Sequence, residues 1–395
     1  MVETDLSAAE ARRVVLGAQG FIGAEARKGG AHAMLRKLGA VQLDTVSVLA
    51  RSHELVAYAR LGAVGRRHVE TAYWNSPAHS FEYWCHAACI LPVEHWSLYS
   101  FRRRAFRERK QRWHAVPDGV EKLLDQVRDS GPVTTADVGG ARNGGPWWDW
   151  SASKIGLEWL LDIGELVCAR RVGWRRVYDL AERAIPAEHL AEELTDEECI
   201  VRLTRIAGRA LGVATRGDLV DFLRVTNRYA ALVDAALESG AAGLVPVRVA
   251  GWPEVRKSPH NAWADPAALE TPVKGRHRTT LVSPFDSLIW HRGRTERVFG
   301  FSYTMELYVP KERRVHGYFT MPVLAGGRLI GRVDPARDGT TFVARQIGLE
   351  EGVTAAGAAE AVRDALWSAA AWVGCDSVRV ERADPTLKTL LETIP

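Results

Sequence analysis

Residues 165 to 180 read ELVCARRVGWRRVYDL. Two short runs suited to strands flank Gly173, which marks a tight turn, so the segment reads as a β-hairpin. Upstream, GVEKLLDQVRDSGPVTTADVGG (119–140) reads as a helix, a Gly-Pro turn and the start of a short second helix, and SASKIGLEWLLDIG (151–164) as a third. Helix, turn, helix, helix, hairpin is the order of a winged helix, with the hairpin as its wing.

The same order recurs downstream of this segment, and helices of a helix-turn-helix kind precede it. EECIVRLTRIAGRALGVATRGDLVDFLRVTNRYAALVDAALESGAAGLVPVRVAG (197–251) repeats it with little sequence repetition, and GLVPVRVAGW opens a third hairpin. Toward the N-terminus, Ser7 and Glu10 form a capping-box pattern at the start of a helix that opens the first domain. Amphipathic stretches follow at 31–38 and in TVSVLARSHELVAYARLG (45–62), and three short helices this close suggest a helix-turn-helix core. From about Lys257 the texture changes to Pro, Gly, Trp and short strands, with turns at Gly326-Gly327 and Asp338-Gly339, then a helix over 354–374 and a last strand, SVRVER. The expected fold class is α+β: three tandem winged-helix (helix-turn-helix) motifs and a C-terminal antiparallel β domain. Boundaries fall at 1–115, 116–192, 193–256 and 257–395.

The 395 residues are 47% hydrophobic and 25% charged, a globular balance. No run of eighteen apolar residues exists to span a bilayer, and MVETDLSAAEARRVV lacks signal-peptide order, which points to the cytoplasm. Cys85, Cys89, Cys168, Cys199 and Cys375 are an odd, scattered set that fits reduced thiols. A net charge of +4 does not by itself announce a nucleic-acid partner, but its distribution is suggestive. FRRRAFRERKQRWH (101–114), with Arg102 and Arg103, and ARRVGWRR (169–176) concentrate positive charge, and arginine outnumbers lysine, favouring bidentate phosphate contacts. In WHRGRTERVFGF (290–301), Arg292, Arg294 and Arg297 follow a Trp, a mixture suited to gripping phosphates; the plain alternative is a surface ion-pair cluster with Glu296. The WWDW at 147–150 would stack bases or serve as core or lid.

Two motifs mislead. Gly17, Gly20 and Gly23 in VVLGAQGFIG have the spacing of a nucleotide-binding loop, but a helix precedes them where a strand is needed, so helix-end turns are expected and no nucleotide cofactor. Cys85 and Cys89 lie near His79, His86 and His95, yet the spacing is not that of a zinc knuckle. Buried thiols in a packed helix are expected, and no metal.

LGAVQLDT (38–45) raises a different question. In extended chain Gln42 and Asp44 point to one face with Leu43 opposite, a costly arrangement for a core unless every polar atom finds a partner. The segment is therefore a helix start, with Asp44 capping a helix that begins near Thr45, or a working site.

Three blocks in order, 38–62, FEYWCHAACILPVEHW (81–96) and LVSPFDSLIWHRGRTERVFGFSYTMELYVPKERRVHGYFTMPVL (281–324), resemble the helix-turn-helix-fold DNA glycosylases of the YcaQ/AlkX branch, sister to AlkZ. The likeness covers nearly the whole chain. It implies a C-shaped clamp of three winged helices with a β domain, excising alkylated purines and unhooking interstrand crosslinks in base excision repair. The family's Gln, aliphatic, polar signature falls on Gln42, Leu43 and Asp44, and Asp at the third place sides with the repair branch. Arg51 and His53 join the DNA-binding set, with Ser52 between them where Ala is expected. The reaction implied is monofunctional hydrolysis of an N-glycosidic bond, with Asp44 stabilising the sugar cation and Gln42 positioning water. The partner would be double-stranded DNA carrying alkylated purines or crosslinks, met by a monomeric, nucleoid-associated protein. The competing reading is a non-catalytic winged-helix DNA-binding protein or transcription regulator.

Overall fold

The structure, a computed structural model, describes residues 4–24, 27–75, 78–109, 114–139, 150–190, 193–256 and 258–393. The chain opens with strand β1 (Thr4–Leu6) and helix α1 (Ala8–Ala18), whose Ser7–Glu10 capping box is formed from both sides. A first unit runs α2 (Gly30–Leu38), β2 (Val41–Gln42), α3 (Ser52–Leu61), α4 (Arg66–Tyr73), β3 (Ser80–Trp84) and β4 (Ala88–Pro92), closing a sheet of order β2-β4-β3. Helix α5 (Ser100–Glu108) leads to a second unit: α6 (Val120–Ser130), β5 (Val133–Thr134), α7 (Ala152–Ile163), β6 (Leu166–Val172) and β7 (Arg175–Leu180), with order β5-β7-β6. Between β5 and α7 the chain turns as far as Gly139, and residues 147–149 of the WWDW lie outside the described residues.

Short helices α8 (Ala181–Ala184) and α9 (Ala187–Leu190) precede a third unit of α10 (Asp196–Leu211), β8 (Val213–Ala214), α11 (Arg216–Leu223), α12 (Arg228–Glu238), β9 (Val245–Val249) and β10 (Ala262–Ala264). After α13 (Pro266–Glu270) come β11 (Thr280–Leu281), α14 (Arg292–Phe299), β12 (Met321–Ala325), β13 (Arg328–Asp338), β14 (Thr341–Leu349), α15 (Ala355–Trp372), β15 (Ser377–Val380) and α16 (Pro385–Thr393). The whole is a mixed α+β chain.

Several elements differ from the sequence reading. The β1–α1 arm does not open the first unit. Strand β1 pairs in parallel with β9, Thr4 opposite Val247 and Leu6 opposite Val249. Val14, Val15 and Leu16 share a core with Val247, Trp252 and Ala262, because the apolar stripe of α1 finds its complement there. The third unit extends past residue 256, since β10 pairs with both β9 and β8. The C-terminal sheet is mixed rather than antiparallel: β15 runs parallel to β14, as the α15 crossover requires. FEYWCHAACILP is a hairpin and not a helix. Phe81, Tyr83 and Cys85 enter one core, and Cys85 and Cys89 are buried free thiols. Helix α3 begins at Ser52, leaving 43–51 irregular.

The glycines of VVLGAQGFIG serve close packing. A Cβ on Gly17 would meet Val273 at 3.0 Å, and one on Gly23, at φ +75°, would meet the Lys274 carbonyl at 2.7 Å. The buried Arg60 guanidinium bridges both oxygens of Asp286 at 2.6 and 2.8 Å and the Gln19 carbonyl at 2.7 Å. That network joins α1, α3 and the SPFDSLIW loop into one body.

Candidate active site and nucleic-acid interface

The pairing of β2 with β4 carries on one residue past Gln42, where the Leu43 amide donates to the Ala88 carbonyl at 2.8 Å. The two-residue period then sends Val41 and Leu43 into a core with Leu35 and Val56, while Gln42 and Asp44 are half-buried. The Asp44 amide donates to Ser52 Oγ at 2.9 Å, and the Ser52 hydroxyl donates to the Gln42 carbonyl at 2.7 Å. Ser52 is 1% exposed, so one buried hydroxyl ties both candidate catalytic residues to the first turn of α3. Sequence reading had no signal for this beyond a serine standing where alanine was expected.

No helix begins at Thr45. Asp44 instead closes a tight turn, Oδ1 accepting the Val46 amide at 2.9 Å. Burial pushes the Asp44 carboxyl above its usual range, against the pull of the Val46 and Thr45 amides. The result is a half-buried carboxylate held by backbone, with no ion-pair partner among the described residues.

Arg51 precedes α3, its amide donating to Glu54 Oε2 at 2.7 Å and its guanidinium to the Thr45 carbonyl at 3.4 Å. His53, counted among the DNA-contacting residues, is fully buried. Its ring lies parallel to Trp174 at 5.7 Å and edge-on to Trp74 at 5.2 Å, and neither ring nitrogen has a hydrogen-bond partner. Burial, with Arg171 and Arg51 nearby, lowers its pKa to about 3, so it is a neutral packing residue here.

Trp174 belongs to the β6–β7 hairpin, docked beside α4 and β3. The anchor is Glu82, 2% exposed, which accepts Arg171 Nε and Nη2 at 2.6 and 2.7 Å, Arg176 Nε at 2.9 Å and Trp74 Nε1 at 3.1 Å. Burial would raise its carboxyl, but Arg176 and Arg171 outweigh that and hold it at about 2. Between hairpin and α4 lies a cleft of about 450 Å³ walled by Arg51, Glu70, Trp74, Arg170, Arg171 and Trp174. Arg51, Arg170 and Arg171 make it cationic.

The remaining arginines divide. Arg103 is buried, its guanidinium 4.2 Å from the Trp96 ring centroid and donating to the Trp96 carbonyl at 3.0 Å; it supports the fold rather than a phosphate. Arg102 is half-buried and donates to the Leu223 carbonyl at 2.6 Å, on the wall of an aromatic cavity of about 800 Å³ that includes Trp84, Trp150 and Trp159. Of the arginines on α14 only Arg292 is exposed. Arg294, 2% exposed, donates to the Leu211 and Val213 carbonyls at 2.7 Å and pairs with Asp218, which Arg297 also grips. Neither phosphate gripping by all three nor the alternative surface pairing with Glu296 describes Arg294 and Arg297, which form a buried cluster on Asp218 of the third unit. These arginines are therefore not brought to Asp44. Among the described residues no three His, Cys, Asp or Glu side chains converge as metal ligands, and no helix is long and apolar enough to cross a membrane. His86 stacks on Trp290 at 4.2 Å instead.

Residues 35–372 match the family described as DNA glycosylase AlkZ-like. Among solved structures, the chain resembles the Streptomyces sahachiroi DNA glycosylase AlkZ with a TM-score of 0.65 at 17% sequence identity, covering 96% of this chain and 100% of that one.

Proposed function

This chain belongs to the AlkZ-like DNA glycosylase family, and from that premise we propose that it hydrolyses the N-glycosidic bond of N7-alkylated purines and unhooks interstrand crosslinks in duplex DNA. The observation that carries the reading is the half-buried Asp44 carboxylate, anchored on the Val46 amide, next in sequence to Thr45, whose carbonyl accepts Arg51 from the wall of a cationic cleft.

N7 alkylation places positive charge on the purine, so the base departs with little need for acid assistance. The burden moves to the sugar, where C1′ becomes oxocarbenium-like as the bond breaks. A carboxylate stabilises that cation best where water is partly excluded and the group need not reorganise. Asp44 meets both conditions and in its ionised form also orients and deprotonates the attacking water. Gln42, leaving from the same face, cannot act as a base but holds water through its carboxamide. No lysine stands in the motif, so the product is free base and an abasic site without a Schiff-base step.

The repeated helix, strand, helix and hairpin units act as winged helices, arranged as a clamp on the duplex. Arg51 with Arg170 in the cleft, and Arg292 on α14, supply phosphate contacts that make binding salt-sensitive and independent of sequence. A crosslinked base is tethered to its partner strand and cannot swing fully out, so an open cleft suits it better than a deep pocket. The protein works as a monomer in the cytoplasm on nucleoid DNA.

The test is release of 7-methylguanine from methylated duplex, with gel unhooking of a defined N7-guanine crosslink. Asp44→Asn should bind DNA like wild type and lose on the order of 100-fold or more in single-turnover rate. Gln42→Ala should lose less. Unaltered release by Asp44→Asn would remove the carboxylate from the mechanism.

A further inference from the structure

The β6–β7 hairpin does more than complete its own sheet. Its two-residue turn is Gly173–Trp174, with φ of +54° and +69°, between the paired Val172 and Arg175. Such a turn favours Asn or Gly at both places, and a tryptophan held left-handed there carries a conformational cost. A stacked column offsets that cost. The His53 ring lies parallel to the indole at 8°. The Arg51 and Arg171 guanidinium carbons sit 3.8 and 4.0 Å from the ring centroid, and Arg171 Nη1 donates to the Trp174 carbonyl at 2.8 Å.

Arg51 and His53 are consecutive with Ser52 at the start of α3. Residues 51 and 53 grip the indole of the second unit, while Ser52 holds the Asp44 amide and the Arg51 guanidinium holds the Thr45 carbonyl. Trp174 therefore immobilises the tripeptide on which the Asp44 turn hangs. We infer that Trp174 is a positioning residue for Asp44, acting across the junction of the first two units through Arg51 and His53; this rests on the catalytic reading of Asp44. Trp174 touches no reacting atom. Its effect is to keep the carboxylate within the few tenths of an ångström that nucleophile orientation demands.

Two replacements separate this role from a merely structural one. Trp174→Asn relieves the left-handed strain but removes the stack, whereas Trp174→Phe keeps an aromatic face. Amide hydrogen exchange over residues 43–55 should accelerate about tenfold in Trp174→Asn and return toward wild type in Trp174→Phe. Single-turnover release of 7-methylguanine, read at saturating duplex, should fall roughly 10- to 100-fold in Trp174→Asn. Arg51→Lys, which keeps the charge and loses the planar stack, should show the same exchange change if Trp174→Asn does not fold. Wild-type exchange over 43–55 in these variants, or a loss confined to duplex affinity, overturns the proposal. A wild-type protein that releases no base overturns the glycosylase reading and the catalytic meaning of Trp174 with it. That outcome is distinguishable, because the exchange contrast persists.

Discussion

At the scale of single residues, Ser52 is a buried packing group that holds the backbone of Asp44, the proposed catalytic carboxylate. A hydroxyl 1% exposed joins the Gln42 carbonyl to the Asp44 amide, and its removal leaves two backbone groups without that partner. Ser52→Ala should cost about 1 kcal/mol by thermal unfolding and slow base release, with DNA binding unchanged. Burial raises the Asp44 pKa, so the folded protein favours the protonated form relative to the unfolded chain. Ionising Asp44 thus works against stability as pH rises through its folded value. Stability at neutral pH and the acid limb of the rate both carry this sign. The melting temperature of Asp44→Asn should equal or exceed that of wild type. The wild-type rate should fall on acidification at a higher pH than an ordinary aspartate would give, and a profile flat through that range would remove ionised Asp44 from the rate-limiting step.

Among the elements, helix α14 shows why a run of arginines is not read as one patch. The helical period turns Arg294 inward to the Leu211 and Val213 carbonyls and to Asp218, brings Arg297 onto the same carboxylate, and leaves Arg292 in solvent. Arg292→Ala should therefore weaken duplex binding and lower the salt slope by about one, with no change in melting temperature. Arg294→Ala should destabilise by about 3 kcal/mol, since it strips Asp218 of a buried partner, and leave the salt slope of the folded fraction untouched. The opposite ranking in salt titrations and thermal melts would reassign the helix. The β6–β7 hairpin makes the complementary point. Its strands, its basic character and its Gly turn were legible in ELVCARRVGWRRVYDL, but not that Arg171 and Arg176 converge on Glu82, 89 and 94 residues away.

Over the whole molecule, Glu82 ties the first unit to Arg171 and Arg176 of the second, and Arg176 carries the network on to Glu158 inside the second unit. Burial alone would raise Glu82 and Glu158; Arg176 acts on both, with Arg171 on the first and Lys154 on the second, and each is held at about 2. Depressed carboxylates stabilise fully above the unfolded glutamate range, and that contribution drains as pH falls toward 2. Melting temperature should thus decline steeply below about pH 4.5, the ordinary glutamate value. Glu82→Gln, already destabilised by about 3 kcal/mol at neutral pH because Arg171 loses its carboxylate and Arg176 keeps only Glu158, should show a shallower decline. An equally steep acid limb in that variant would place the lability elsewhere.

What the amino-acid order determined by itself is local. Capping at Ser7, the periodicity of α2, the turn at Gly173 and the outward pairing of Gln42 with Asp44 all depend on residues within a few positions of each other. The tertiary structure decided which cations remain free, which histidine is sealed, that the N-terminal arm joins the third unit, and that an indole of the second unit clamps the helix start beneath Asp44. Those outcomes turn on burial and on charge pairs between residues tens to hundreds of positions apart. Desolvation and Coulomb energy depend on where the folded chain brings groups together, and no local pattern carries that information.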